Sequence, residues 1–580
     1  MKHNIPRFLI VILSAFVLTA AIELAQITAF VPVTDEVLKN PSANDWLMFS
    51  RTYDAQRFSP LSQINKQNVG QLRLAWKRDL GTGGSQESIP LVYRGVMYSF
   101  APPATIQAID ASNGNLLWEY KRQGTSKTKG LAIYEDMIYF TTPDGSIVAL
   151  DARNGMVRWE TKVGQAPGTS GPIVVEGKVI TGRACAQTRD SCFIAAHDAK
   201  TGKELWKFYT VPAKGQPGSE SWGPDGPADN MMASTWGMMG SYDPDRKLIF
   251  WGVANPMPNT RMARHNGKPD AVSRTAPSDL YSNSTVALDP ATGKLAWYYQ
   301  HLPGDDWDQD YTNERILIRT AVSPDPKFVK WMNPDVTRGQ QRNISVSVGE
   351  GGGLFVLDRD NGQFLWAAPF PFDGPQFLIS NIDGKTGKSD INWDVVLKEP
   401  GEQHVICSYN TKSYWPMSYH PGKNAMYIPY ADNCLDMTAA APAMDGKPAT
   451  GERRTATRRP GSDPNKFGGL AKVNMSTGEI QRIYEGPAPG VAATLATAGD
   501  VVFWGALDRK FRAFDADSGK ILWETTMDSP VSNSTITYSV NGKQYVAVFT
   551  GNGGLMAGLL RQANLEATPV TNGLYVFALP

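Results

Sequence analysis

Apolar positions along the chain come in short runs broken by turn dipeptides, the layout of many short strands rather than long helices. One eleven-residue figure recurs: small or apolar, apolar, Asp, two variable residues, Thr/Asn/Ser, Gly, three variable residues, Trp. It reads AIDASNGNLLW at 108–118, ALDARNGMVRW at 149–159, AHDAKTGKELW at 196–206, ALDPATGKLAW at 287–297, VLDRDNGQFLW at 356–366 and AFDADSGKILW at 513–523. KVNMSTGEIQR at 472–482 is a worn copy without the Trp, and Trp76 in NVGQLRLAW ends a divergent eighth unit. In each copy the apolar pair ends a strand, and Asp-x-x-Thr/Asn-Gly makes a tight turn whose Gly supplies a positive φ. The following strand then carries an indole into a packed layer. Trp118, Trp159 and Trp206 are 41 and 47 residues apart, room for about four short strands. A unit of four strands cannot cover both its faces alone. The pattern therefore predicts an all-β, eight-bladed β-propeller with tryptophan-docking repeats. An array of β-sandwiches is the alternative. The C-terminal GLYVFALP is expected to pair with the N-terminal region and close the ring. A single propeller domain over 40–580 follows, with loop insertions near 211–240, 303–345 and 436–466.

Charge and composition narrow the classes. Lys plus Arg number 57 and Asp plus Glu 56 in 580 residues, a net charge of +1. That balance argues against a nucleic-acid partner, and a chain 42% hydrophobic and 19% charged is neither disordered nor coiled-coil. The one long apolar run, Phe8 to about Ile22, follows Lys2, His3 and Arg7. This is the layout of a secretory signal peptide over 1–25, with Thr19-Ala20-Ala21 as a cleavage site. At about 15 residues it is short for a ~30 Å hydrocarbon core. The expected location is the periplasm, with membrane association if the signal stays uncleaved. Cys185 pairs most economically with Cys192, and Cys407 with Cys434, although four cysteines allow three pairings. No Cys-x-x-Cys-His attaches a haem. Arg453, Arg454, Arg458 and Arg459, among Ala, Gly and Pro, read as a solvated loop.

Two motifs are decoys. GKTGKS at 384–389 lacks the upstream Gly of a phosphate loop and reads as a turn, and GEGGGL at 349–354 has no βαβ context. The run Asp305-Asp306-Trp307-Asp308-Gln309-Asp310 is different. On an extended segment Asp306, Asp308 and Asp310 would project to one side. Converging carboxylates without paired bases call for a hard multivalent cation, with Asn255 in VANPMP as a further oxygen donor.

These copies, with DWLMFSRTYDAQRFSPLSQINKQNVGQLRLAW at 45–76, LATAGDVVFWGALDRKFRAFDADSGKILW at 495–523 and TYSVNGKQYVAV at 537–548, resemble the quinoprotein alcohol dehydrogenases of the methanol and ethanol type. The likeness runs from about residue 45 to the C-terminus. It implies pyrroloquinoline quinone (PQQ) and a metal on the propeller axis. By that resemblance Trp236 in ASTWGMMGSYDPD is the floor on which the quinone stacks. Glu87, Lys129, Thr169 and Trp415 take cofactor-contacting positions, with Lys129 where relatives have an arginine. Asp308 takes the place of the catalytic base and a metal ligand, and Asn255 that of the metal-binding asparagine. Asp310, two residues beyond the base, stands where lanthanide enzymes carry Asp and calcium enzymes a small residue.

The departures are equally informative. The adjacent-cysteine disulfide of the family is replaced by TSKTKGLA. Its glutamate metal ligand falls on Gln187 without a gap, or on Asp190 with a short inserted loop, the latter keeping a carboxylate. Glu350 stands where relatives place a basic residue. The Cys-loop-Cys segment resembles the sorbose and sorbosone dehydrogenase branch. The resemblance implies oxidation of an alcohol, polyol or sugar by PQQ with Ca²⁺ or a lanthanide ion, and electron transfer to a cytochrome c-type acceptor. A non-catalytic propeller scaffold of the cell envelope is the rival reading.

Overall fold

The computed structural model describes residues 29–439, 452–551, 553, 556–565 and 570–580; the expected signal at 1–25 lies outside them. Among the described residues eight sheets of four antiparallel strands follow one another, two of them carrying a fifth strand: Trp331–Met332 on the fifth sheet and, in parallel, Phe58–Ser59 on the seventh. Blade 1 is Leu91–Tyr93, Val96–Ala101, Thr105–Asp110 and Leu116–Lys121. Blades 2 to 7 span residues 132–162, 172–209, 241–300, 316–368, 418–486 and 495–526. Blade 8 combines Thr535–Val540, Lys543–Thr550 and Gly573–Ala578 with an outer strand from the other end of the chain, Arg73–Asp79. That strand runs from Arg73 opposite Ala578 to Asp79 opposite Gly573, so the C-terminus closes the ring as its sequence suggests. Second strands such as Val96–Ala101 are buried along their whole length, whereas outer strands such as Val157–Lys162 are largely exposed. The core thus lies between blades.

The recurring figure is the device that joins them. In blade 2 Asp151 accepts from the backbone N–H of Gly155 at 2.8 Å through its carbonyl, and from that of Arg153 at 2.9 Å through Oδ1. Gly155 takes φ +73°, and a Cβ there would lie 2.5 Å from Cε3 of Trp118 in blade 1. The Trp118 indole donates to the Ala152 carbonyl of the same turn at 3.0 Å. Trp159 meets Gly202 and Trp206 meets Gly293 in the same way, and Trp76 meets Gly114 across the closure. After the worn copy, Gly519 of blade 7 packs on Ile483 instead of an indole.

Both disulfides join the pairs that spacing favours, Cys185–Cys192 and Cys407–Cys434. A separate three-stranded inserted sheet joins Gln403–Cys407, from the connection between blades 5 and 6, to Asn433–Thr438 and Arg453–Arg458, from the second-to-third-strand connection of blade 6, with Cys407 directly opposite Cys434. The arginine run is therefore a strand and not a solvated loop: cross-strand pairing with 433–438 orders it, and Arg459 forks onto Asp432 at 2.9 Å. GKTGKS is the expected turn, joining Ile379–Ile382 to Ser389–Ile391.

If indole docking holds the blades together, Gly155→Ala should cost about 2–4 kcal/mol, from steric overlap plus a left-handed backbone. Gly542 has the same backbone conformation, φ +77°, but open space around it, so Gly542→Ala should cost only about 1 kcal/mol. Urea unfolding of the two variants separates the contact from the backbone term; equal losses would refute the docking argument.

Candidate active site

One architectural rule places the site residues. Glu87, Lys129, Thr169, Trp236, Asp308, Asp310 and Trp415 all lie in the connections leading into the first strands of blades 1 to 6. Asn255 and Glu350 lie in the second-to-third-strand connections of blades 4 and 5, which emerge on the same face. Hydrogen bonds tie these connections to one another. Ile89 N donates to the Lys129 carbonyl, and Lys129 N to the Thr169 carbonyl, both at 3.0 Å. Thr169 Oγ1 donates to the Trp236 carbonyl at 3.0 Å, and Trp236 Nε1 to Asp310 Oδ2 at 2.5 Å. Glu350 N donates to the Asp310 carbonyl, and Thr411 N to that of Glu350, both at 2.9 Å. Thr494 N then reaches the Pro416 carbonyl, Ala493 N that of Asn533, and the Asn533 amide that of Gln86.

At the centre lies an aromatic platform with a buried cation. Lys129 Nζ lies 5.2 Å from the Trp236 ring centroid and 4.3 Å from that of Tyr414, and it pairs with Glu87, both side chains 3% exposed. Tyr414 stands edge-on to Trp236 at 6.2 Å and to Trp415 at 5.4 Å. Trp415 is buried, and its indole N–H has no partner among the described protein atoms.

The acid run is not extended, and this corrects the alternation expected for it. Asp305 is buried and accepts from the backbone N–H of Trp307 at 2.6 Å and of Gln309 at 2.7 Å. Asp306 accepts from Arg261 N at 2.5 Å and Leu397 N at 2.8 Å. These two carboxylates fix the turn, because buried backbone donors need acceptors. Asp308, with φ +63°, and Asp310 are left for the site. Asp310 Oδ1 accepts from Asn255 N at 2.9 Å. Burial, then the charge of Asp308, pushes the Asp310 carboxyl up to about 7. Burial and Asp310 likewise push Glu350 well above the carboxylate range. Asp308, 33% exposed, is the accessible acid, and Arg454 reaches it from the inserted sheet.

The structure does not bring Asp190 to this group. Its side chain is 74% exposed and paired with Arg189 at 3.1 Å. The Cys185–Cys192 bond closes the loop on itself, and Arg189 N is held by the Asp229 carbonyl at 2.7 Å, so the turn faces outward. Gln187 is exposed as well. The sequence marks Glu350 only as an electrostatic departure, places Arg454 in a solvated loop, and gives no role to Tyr414. Tyr414 precedes the expected Trp415 and could have been tested as part of that aromatic pair; Arg454 carried no spacing signal toward Asp308.

The residues present suit a flat, anionic, aromatic group on Trp236, with Lys129 to meet a carboxylate and the orphaned Trp415 N–H as a donor. They also suit a hard cation. Asp308, Asp310 and Glu350 gather mutually repelling carboxylates, and Asn255 donates its amide N–H to Pro256 and Asn259, so its carbonyl oxygen is the atom left for a metal. Among the described residues no three His, Cys, Asp or Glu side chains converge at ligating distance. A cation taking 6–8 oxygens would need others from water or a bound molecule.

The described chain is thus an eight-bladed propeller that presents an indole platform, a buried lysine and neighbouring carboxylates on one face. Residues 46–369 and 465–546 match the PQQ family described as glucose/ethanol/alcohol dehydrogenase, beta-propeller domain. The chain is 30% identical over 593 residues to quinohemoprotein alcohol dehydrogenase ADH-IIG of Pseudomonas putida, covering 94% of this chain and 77% of that one. Its fold is similar to the quinohemoprotein alcohol dehydrogenase of Comamonas testosteroni, with TM-score 0.80 and 27% identity over 97% and 84% of the two chains. It is also similar to a europium-containing methanol dehydrogenase, with TM-score 0.78 and 27% identity over 94% and 100%. The chain belongs to the PQQ-dependent alcohol dehydrogenases, oxidoreductases acting on CH–OH donors.

The buried Glu87–Lys129 pair makes a prediction that needs no cofactor. Glu87→Gln leaves an uncompensated buried ammonium and should cost about 3–5 kcal/mol in the apoprotein. The double variant Glu87→Gln with Lys129→Met removes both charges and should recover most of that loss. Denaturant unfolding of the three proteins checks it; a double variant no more stable than the single would count against the pairing.

Proposed function

We propose that this chain is an exported quinoprotein dehydrogenase that oxidises a primary or secondary alcohol or a polyol to an aldehyde or ketone. The observation that carries the reading is the accessible Asp308 beside buried Asp310, itself bonded to the platform indole of Trp236. When bound, PQQ supplies the two-electron acceptor and the metal ion a Lewis acid. Trp236 offers the flat face for the quinone, Lys129 a counter-charge for a carboxylate, and Glu87, Thr169 and Trp415 the surrounding contacts. Asp308, Asp310 and Asn255 are the proposed metal donors, with Glu350 a further carboxyl group whose backbone N–H is bonded to the Asp310 carbonyl, while Asp190 faces outward. Asp308 accepts the hydroxyl proton of the substrate as general base. All four cysteines are in disulfides, so none is left to hold a haem, and a cytochrome c-type protein suits the role of electron acceptor. The amino-terminal pattern of charge and apolar residues supports export to the periplasm.

The reading is tested by reconstituting the purified protein with PQQ and metal and screening dye reduction over alcohols and sugars; no quinone uptake with any metal would defeat it. Asp308→Asn should take up quinone yet lose turnover by at least about 100-fold, the scale of general-base catalysis. An additional carboxylate favours a trivalent over a divalent ion of similar radius. La³⁺ should therefore support more activity than Ca²⁺ in the wild type, and Asp310→Ala should lose that preference. Equal activity with both ions in both proteins would remove Asp310 from the metal site.

A further inference from the structure

Asp305 and Asp306 are fixed by backbone amides of the fold, but the described contact of the Asp308 carboxylate comes from another element. Arg454 Nη1 donates to Asp308 Oδ2, and Nη2 donates to the Trp307 carbonyl at 2.7 Å. One planar guanidinium thus holds both the side chain of Asp308 and the carbonyl preceding it, a fork that an ammonium cannot reproduce. Arg454 is itself supported: it lies opposite buried Met437 in the inserted sheet, on a strand whose neighbour is bonded through Cys434 to Cys407, and its guanidinium lies 5.6 Å from the Tyr409 ring centroid. On its other side Glu452 Oε1 is 3.9 Å from Arg454 Nε and accepts from Asn259 Nδ2 at 3.1 Å. Asn259 Oδ1 accepts in turn from Asn255 Nδ2 at 3.0 Å. A polar chain, Asp308–Arg454–Glu452–Asn259–Asn255, therefore runs through the inserted sheet from one member of the site to another.

We propose that Arg454 is a positioning residue for Asp308, and that the inserted sheet, through Arg454 and Glu452, sets the placement of Asp308 relative to Asn255. The inference rests on the proposed role of Asp308 as base. A guanidinium disfavours protonation of the carboxylate it touches, so its contribution to a base is placement, and misplacement of a reacting group by about 1 Å can cost on the order of 100-fold in rate. Arg454 makes no claim on the substrate in this scheme, so its loss should fall on kcat and leave KM nearly unchanged.

The test compares wild type, Arg454→Ala, Arg454→Lys and Glu452→Gln, each reconstituted with PQQ and metal and checked for equal quinone uptake. Arg454→Ala should lower kcat by about 10- to 100-fold with KM within about threefold. Arg454→Lys should regain only part, and Glu452→Gln should show a smaller loss in the same direction. A second measurement does not use activity: melting temperatures of Arg454→Ala, Asp308→Asn and the double variant should be non-additive, because the two residues share one contact. Arg454→Ala with unchanged kcat, or additive melting shifts, would overturn the proposal. A wild type without dehydrogenase activity would instead defeat the proposed function, and the melting cycle would still decide whether Arg454 holds Asp308.

Discussion

The ring depends on the fit of a side chain from one blade, in most cases an indole, against a glycine turn in the next. A blade is a small antiparallel sheet, and most of what it buries is buried against its neighbours. The Trp118–Gly155 contact shows why the motif has its composition: a Cβ at 155 would overlap the ring, and the backbone there needs a positive φ that only glycine adopts without strain. The indole N–H finds the carbonyl of Ala152 in the same turn, so the contact satisfies a polar group while excluding water. Closing the ring with Arg73–Asp79 extends the same contact across the chain ends, where Trp76 meets Gly114.

That ring dictates where chemistry can occur. Each blade delivers the connection leading to its first strand onto one face, and hydrogen bonds between successive connections convert eight separate segments into one rim. Ile89 to Lys129, Lys129 to Thr169, Thr169 to Trp236 and Trp236 to Asp310 are each single bonds between adjoining blades. A residue on this rim is held by its neighbours rather than by its own strand, which gives loop residues the rigidity that a binding site requires. Trp236 illustrates it: its carbonyl, its ring face and its N–H are engaged by Thr169, Lys129 and Asp310 respectively.

The parts of the structure legible in the sequence are those written as periodic or local constraints. Asp-x-x-Thr/Asn-Gly followed by Trp encodes turn, strand and inter-blade contact within eleven residues, so blade count and closure could be read directly. Cys407 and Cys434 could be paired because they are near each other in the chain, 27 residues apart. The acid run could be located but not resolved, because alternation assumes an extended segment. Asp305 and Asp306 instead turn inward to backbone amides of residues 261, 307, 309 and 397, some of them far off in the chain. Arg454 was illegible for a stronger reason. It is 146 residues from Asp308, and only the pairing of its strand with 433–438 determines which way it points.

The electrostatics of the site form one connected problem. Asp310 and Glu350 are both buried, and burial raises the proton affinity of each; the charge of Asp308 raises both further, and that of Asp310 raises Glu350. Lys129 pairs with Glu87, and Lys412 with Glu314 at 2.6 Å while also interacting with Glu350; Arg454 meets Asp308. Turning Asp190 out to solvent removes one potential carboxylate, and Glu350 puts another back from blade 5. Under the proposed function a cation completes that balance, with Asp310, bonded to Asn255 N at 2.9 Å, and accessible Asp308 among its donors.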